Sequence, residues 1–137
     1  MARFRNIIKA IVRCQDKYLV VERWYSDNII DPYQWEFLDG EMEFGETPDK
    51  AAERLVSELV GIPVLADKPL YTWGFTAGEI CTTGIAFLCE SMTEEVVLSE
   101  DLSDYRWVYK EELPSVISKK AVVEDLTKAE LFSELEL

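Results

Sequence analysis

Residues 35–62 read WEFLDGEMEFGETPDKAAERLVSELVGI, and this stretch decides the fold. Thr47 suits a helix N-cap, Pro48 suits the first helical position, and Gly61 suits the position after the last turn. Between them, apolar residues recur at helical spacing over about half of the helix circumference, and charged residues occupy the rest. The pattern predicts an amphipathic helix, Pro48–Val60, that lies on a sheet and follows a short glycine-containing turn.

Runs of β-branched and aromatic residues on both sides of this segment predict strands. The predicted strands are 7–12, 18–24, 33–38, 70–76, 80–89 and 105–109. The remaining predicted elements are an acidic loop at 90–104 and helices at 111–118 and 121–135. Strands before, between and after helices indicate a mixed α/β domain with a sheet covered on both faces. No internal repeat or linker divides the sequence, so we expect a single domain over 1–137.

The composition is that of a protein with a hydrophobic core, since 48% of the 137 residues are hydrophobic and 12% are aromatic. No apolar run approaches the roughly 20 residues of a membrane span. Charges interrupt the apolar residues near the start too often for a secretory signal. We therefore expect a cytoplasmic protein that does not enter a membrane.

The charged and sulfur-containing residues exclude several classes of function. A net charge of −13 argues against binding of nucleic-acid polymers, which require a basic surface. A small anionic ligand stays compatible with that charge if divalent cations lie between protein and ligand. The chain has no histidine, and its three cysteines form no C-x-x-C pair, which argues against zinc sites and against histidine-activated nucleophiles. We expect the cysteines to be buried, reduced thiols.

The turn and helix together match a known signature. The matched positions are Gly40, Glu46, Arg54, Glu58, Gly61 and Ile62. Their spacing resembles that of the Nudix hydrolases, which cleave nucleoside diphosphates linked to another group. Trp35 and Phe37 upstream, and residues 104–108 and 111–114 downstream, extend the resemblance along most of the chain. The resemblance implies the Nudix fold, an α/β/α sandwich around a mixed β-sheet.

The family's chemistry implies roles for several residues. In the family, glutamates on the helix bind magnesium or manganese, often with a backbone carbonyl from the preceding loop, and the metals hold the pyrophosphate. By resemblance, Glu58 is the metal ligand, with a carbonyl of Asp39 or Gly40 as its partner. Arg54, Glu46 and Glu58 then form the catalytic group, and the cofactor is Mg²⁺ or Mn²⁺. Hard cations of this kind take several oxygen ligands.

The chain departs from the signature at two helical positions. Leu55 and Leu59 stand where the family usually has glutamates, so one carboxylate of three remains on that patch. We expect Arg54 to pair with Glu58 at i+4. Hydrolysis should be weak unless loop carboxylates substitute for the missing ones, and a solvated loop is the alternative interpretation. The candidate substitutes include Glu94, Glu95 and Glu100.

A nucleotide ligand also needs surfaces for its base, and aromatic side chains supply them by stacking. The aromatic candidates at strand ends and loops are Trp24, Tyr25, Tyr33, Trp73 and Phe75. Each of them could instead belong to the core. Two further functions stay open at this point. One is a nucleotide-binding module without chemistry, and the other is a scaffold or homodimer in which an exposed Leu55 or Leu59 joins a protein interface.

Overall fold

The computed structural model describes residues 2–24, 34–117 and 120–128, apart from the side chains of 120, 121 and 128. Its strands are β1 (Arg3–Cys14), β2 (Lys17–Arg23), β3 (Trp35–Glu36), β4 (Leu38–Glu41), β5 (Val64–Ala77), β6 (Ile80–Ser91) and β7 (Leu102–Tyr109). Its helices are α1 (Pro48–Val60), α2 (Leu113–Val116) and α3 (Lys120–Lys128), and the 3₁₀ turn Lys110–Glu112 precedes α2.

The strands form a mixed sheet around β1. Strand β1 runs parallel to β6 and antiparallel to β4, and β5 pairs antiparallel with the far side of β6. Strand β2 pairs antiparallel with β3 and β7. Strands β1 and β2 pair at the end of their hairpin, where Arg13 lies opposite Tyr18 and Cys14 opposite Lys17. The sheet is therefore continuous from β5 to β7 through this hairpin.

Helices cover both faces of the sheet. Successive side chains on β1 point to opposite faces, and each face packs in its own hydrophobic cluster. Ile8, Ala10 and Val12 pack in the cluster that contains α1. Ile11 packs in the other cluster, together with residues of α2 and α3. The predicted fold class, α/β with helices on both sides of a mixed sheet, is confirmed.

Helix α1 has the predicted bounds. Gly61 ends it with φ 69° in the left-handed region, and its N–H donates to the carbonyl of Ser57 at 3.0 Å. Thr47 occupies the N-cap position, but its hydroxyl makes no capping bond to the helix. That hydroxyl donates instead to the carboxylate of Asp49, which lowers the pKa of Asp49.

The predicted strand 33–38 is two strands. Strand β3 pairs with β2 and strand β4 pairs with β1, so the chain passes from one part of the sheet to another at Phe37, which is fully buried between them. The sequence pattern predicted one strand because residues 33–38 form a single, largely apolar run. Tyr33 lies outside the described residues.

Strand β5 begins earlier than predicted, at Val64 rather than at residue 70. Pro69 lies within it. Strand β5 pairs only with β6 among the described strands, and its pairing shifts register at Ala66/Lys68 and at Pro69/Tyr71. An edge strand with bulges tolerates a proline that lacks an N–H.

The predicted loop at 90–104 is shorter at both ends, and it spans 92–101. Buried Ser91 extends β6, and buried Leu102 opens β7 opposite Arg23.

The predicted helix at 111–118 is a 3₁₀ turn followed by the short α2, because the backbone of Ile117 is already extended. Of the predicted helix 121–135, residues 129–135 lie outside the description.

All three cysteines are free thiols, as expected, and Cys14 and Cys89 are buried whereas Cys81 is half-buried. Burial raises the pKa of Cys89 to about 12.

Within the described ranges, no helix has the length and apolar composition that a membrane span requires.

Candidate functional site

Arg54 is the centre of the polar face of α1. Its guanidinium donates to both carboxylate oxygens of Glu46, at 2.6 and 3.0 Å, and to Glu58 at 3.1 Å. A further bond of 3.0 Å reaches the carbonyl of Glu41, and a carboxylate oxygen of Glu43 lies 3.6 Å away. The carboxylates of Glu43, Glu46 and Glu58 are called the acidic cluster below. The expected pairing of Arg54 with Glu58 is confirmed.

Within the acidic cluster, these bonds favour the ionised form of Glu46. The Arg54 guanidinium lowers the pKa of Glu46, and a bond from the backbone N–H of Glu43, at 2.8 Å, acts in the same direction. In return, the hydrogen bond to Glu46 raises the pKa of Arg54. Because one guanidinium contacts all three side chains, the turn before α1 is tied to the helix.

Leu55 and Leu59 face the core. Only 6% of Leu55 and 8% of Leu59 is exposed, and both belong to the cluster under α1. A methyl group on Gly40 would lie 2.4 Å from a δ-carbon of Leu55, so this leucine packs directly on the backbone of β4. The interpretation in which an exposed Leu55 or Leu59 contacts a partner protein is therefore wrong.

The expected metal ligands lie in two separate networks. Glu58 is bonded to Arg54, with 58% of its side chain exposed. The carbonyl of Asp39 accepts a bond of 3.1 Å from Arg23, and its carboxylate accepts another of 3.0 Å. Across the described part of the chain, no group of three or more acidic, cysteine or histidine side chains has the arrangement of a metal site.

The oxygen donors present still fit a weakly held hard cation. Carboxylates and main-chain carbonyls are the ligands that Mg²⁺ and Mn²⁺ take. Exposed Glu58 is the one carboxylate among positions 55, 58 and 59 of α1. A cation there would compete with Arg54 for that carboxylate, so the donor set supports weak binding rather than a preformed cage.

The loop 92–101 crosses the end of α1. The N–H groups of Val97 and Ser99 donate to the last carbonyls of the helix, those of Val60 and Leu59, each at 2.9 Å. Glu94 lies 3.7 Å from the ammonium of Lys17, near the β1–β2 turn. The substitution of a missing glutamate by Glu94, Glu95 or Glu100 stays a prediction.

A cavity of about 440 Å³ opens on the other side of β4. Its lining includes both apolar and charged side chains from β1, β3, β4, β5 and β6, with α3 as one wall. The lining residues are Arg5, Ile7, Lys9, Glu36, Asp39, Trp73, Phe75, Thr82, Val122 and Asp125. A concave site with aromatic surfaces and a few converging polar groups is typical of small-ligand sites.

The cavity brings together two of the predicted aromatic residues, Trp73 and Phe75. Phe75 is 57% exposed at this site. The Trp73 indole occupies the space over Gly84, where a methyl group would lie 2.3 Å from the ring. Trp24 is 54% exposed but does not line the cavity, and Tyr25 and Tyr33 lie outside the described residues.

Sequence reasoning missed Lys9 and Glu36. Their side chains are 7% and 14% exposed, and the Lys9 ammonium lies 3.4 Å from the Glu36 carboxylate. Lys9 also lies 5.0 Å from the centroid of the Trp73 ring. The available signal was a lone charge at position 9 inside the apolar run IIKAIV. A buried lysine in the middle of a strand needs a partner, which such a run does not reveal.

The cavity and the acidic cluster are adjacent along β4. Asp39 points into the cavity, and the next residue, Gly40, packs against Leu55 of α1. Arg5 in the cavity wall binds the carboxylate of Glu41 at 2.9 Å, and the Glu41 carbonyl binds Arg54. Glu41 thus links Arg5 in the cavity wall with Arg54 on α1.

Comparison with known proteins decides the family. The family model for the NUDIX domain matches residues 3–128. The chain belongs to the Nudix family. Among curated proteins, the nucleoside triphosphatase NudI of Enterobacter sp. (strain 638) is 30% identical over 125 residues, covering 81% of this chain and 86% of that protein. NudI of Escherichia coli O139:H28 (strain E24377A / ETEC) is 28% identical over 123 residues, with the same coverage.

Solved Nudix structures share the fold. The chain is similar to a MutT protein from Methanosarcina mazei Go1, with a TM-score of 0.79 and 18% identity over 96% of each chain. It is also similar to an Ap4A hydrolase from C. elegans, with a TM-score of 0.75 and 17% identity over 95% of this chain and 98% of that one. These likenesses confirm the Nudix fold predicted from the signature.

Proposed function

We propose that this Nudix domain slowly hydrolyses the pyrophosphate of a nucleoside di- or triphosphate derivative, with Mg²⁺ or Mn²⁺. The observation that carries the proposal is the placement of an aromatic, mixed-charge cavity beside strand β4, whose Glu41 carbonyl accepts a bond from Arg54, the residue that holds the acidic cluster. The NudI relatives, named as nucleoside triphosphatases, favour the same ligand class.

Each residue has a defined part in this proposal. Glu58, with a main-chain oxygen of Asp39 or Gly40, holds the divalent ion. When bound, such an ion neutralises charge on the phosphoryl oxygens and activates water. Arg54 fixes the positions of Glu58 and Glu46 through its hydrogen bonds. Trp73 and Phe75 face the base in the cavity, and Trp24 and Tyr33 are proposed as further contacts.

The apolar patch on α1 sets the expected rate. Leu55 and Leu59 have hydrocarbon side chains and are buried, so these two positions provide no side-chain oxygen ligand and no general base. Removal of one charge-stabilising group from an active site typically costs about 10²–10³-fold in rate. A site that lacks two of three helical carboxylates should therefore turn over far more slowly than a Nudix enzyme with the full signature.

The burial of Leu55 and Leu59 also favours a second function. A module that binds a nucleotide without cleaving it needs the cavity but no metal site, and the contact between Leu55 and Gly40 is compatible with that role. Cytoplasmic location and a homodimer stay predictions under either function.

One release assay separates the two functions. Purified protein is incubated with dNTPs, ADP-ribose, dinucleoside polyphosphates or NADH, with Mg²⁺ or Mn²⁺, and the products are identified. Metal-dependent release of a mononucleotide that is lost in Glu58→Gln but kept in Glu111→Gln supports the hydrolase. Glu111 is a suitable control because it is exposed in the turn before α2, outside the cavity and the acidic cluster. Affinity for a nucleotide without product formation supports the binding module.

A further inference from the structure

The pair Lys9–Glu36 is an ion pair that lines the cavity and is largely shielded from solvent. Its two side chains are 7% and 14% exposed. Removing two charges from water is unfavourable, and apolar residues of similar size often stabilise a protein as well or better. Stability alone therefore does not explain why the chain keeps this pair.

The position of the pair suggests what it contacts. Both residues line the cavity, and the Lys9 ammonium also lies 5.0 Å from the Trp73 ring, within the range of a cation–π interaction. The carboxylate of Glu36 is fixed by the backbone N–H of Phe37 at 3.1 Å. An oriented donor and an oriented acceptor thus lie next to each other beside an aromatic ring.

A buried hydroxyl lies next to a residue of the cavity wall. The Tyr71 hydroxyl is buried and has no hydrogen-bond partner among the described residues. Its ring lies 5.9 Å from that of Trp73. Burial raises the pKa of Tyr71, and so do the charges of Glu36, Asp125 and Asp39, all of which line the cavity. The hydroxyl therefore remains a neutral donor close to the cavity wall.

We propose that Lys9 and Glu36 read the edge of a neutral nucleobase, Lys9 donating to a ring acceptor and Glu36 accepting from an adjacent N–H. The inference rests on the proposed function for its ligand class and adds the residues that select the base. A lysine ammonium offers three donors and no acceptor, whereas an ionised carboxylate only accepts. Nucleobases present donors and acceptors side by side on one edge, which this pair complements.

The pair should act on the base and not on the phosphates. Buried polar groups built to bond a ligand reject an analogue that leaves them unpaired, often by about 100-fold or more. Loss of the pair should therefore change the order of affinities among bases. Affinity for the phosphate chain should stay the same, because Arg54 and the acidic cluster lie on the other side of β4.

Calorimetric titration tests this with dTTP, dCTP, dGTP and dATP, and with ribose 5′-triphosphate as a probe without a base. The variants are Lys9→Met, Glu36→Gln and the double substitution. Lys17→Met is the matched control, because Lys17 also contacts a glutamate and lies 5.5 Å from the ring of Tyr109, but outside the cavity. The expected result is a difference between the best and worst base that falls about 10-fold or more in the variants and stays unchanged in Lys17→Met.

A second measurement needs only the wild-type protein. N3-methyl-dTTP and N1-methyl-dGTP lack the N–H that Glu36 would accept, so each should bind far more weakly than its unmethylated parent. The thermal midpoint of the double variant should equal or exceed that of the wild type if the pair is kept for recognition.

Three outcomes would overturn the inference. The first is an order of base affinities that survives the double substitution. The second is nucleotide binding no tighter than that of ribose 5′-triphosphate, in which case product release in the hydrolysis assay would still leave the proposed function standing. The third is a wild-type protein that binds no nucleotide, which would remove the proposed function as well.

Discussion

The contact between Gly40 and Leu55 shows how one residue changes the character of the site. Glycine at 40 lets a leucine side chain approach the backbone of β4, and the leucine fills the space with carbon. A glutamate in the same place would need water or a cation for its charge. At position 55, the side chain of α1 is therefore part of the core.

A double-mutant cycle measures that contact. Gly40→Ala should destabilise the protein by about 1–3 kcal/mol, because the new methyl group overlaps Leu55. Leu55→Ala should cost about 2–5 kcal/mol by leaving a cavity. The double variant should cost less than the two separate losses together, since the smaller side chain at 55 makes room for the methyl group. Urea denaturation of all three, with the exposed Ser57→Ala as the control, gives the values. Additive losses would contradict the packing.

The bonds of Arg54 to Glu46 predict a dependence of stability on pH. The folded-state pKa of Glu46 is lowered, so its contribution is present above the ordinary pKa of about 4.3 and is lost as the pH falls through the folded value. Glu46→Gln should therefore be less stable than wild type near pH 7, and the difference should shrink towards about pH 3. Thermal unfolding across this range, with Glu111→Gln as the control, checks the sign. A difference that grows in acid would contradict it.

At the scale of elements, α1 could be placed from the sequence because its signals are local. Thr47 and Pro48 mark its start, and Gly61 marks its end. The cavity could not be placed in this way. Lys9 and Trp73 meet because β1 runs parallel to β6, which pairs with β5, whereas Glu36 is on β3, which pairs with β2.

The prediction also failed where one local pattern has two structural meanings. The apolar run around Phe37 fits a single strand as well as two short ones, and only the pairing of β3 with β2 and of β4 with β1 decides. The orientation of Leu55 and Leu59 followed from the helical period, yet their contact with Gly40 depends on how close α1 lies to β4.

The C-terminus of α1 allows a matched test with two glycines. Gly61 and Gly78 both have left-handed backbones, with φ of 69° and 60°. A methyl group on Gly61 would lie 3.3 Å from Val97 in the loop over α1, whereas one on Gly78 would meet no described residue within 4 Å apart from its chain neighbours. Each alanine substitution should cost about 1–2 kcal/mol for the backbone alone. Chemical denaturation should show the larger loss for Gly61→Ala. Equal losses would show that the loop does not press on the helix.

The net charge of −13 acts on the whole molecule. Without divalent ions, the protein should repel a nucleoside triphosphate at long range, and salt should screen this repulsion. Metal-free affinity should therefore rise as ionic strength increases from about 0.05 M to about 0.5 M, where the Debye length becomes only a few ångströms. Isothermal titration with a non-hydrolysable triphosphate measures the trend. An affinity that falls with salt would mean that a local contact between the phosphates and Arg5 outweighs the overall charge.

The most direct measurement is a crystal structure with a non-hydrolysable nucleoside triphosphate and Mn²⁺, located by its anomalous scattering. The account predicts the base in the cavity beside Trp73, the phosphates passing around β4, and manganese on the carboxylate of Glu58. A base bound elsewhere, or an ordered triphosphate with no manganese at Glu58, would contradict it.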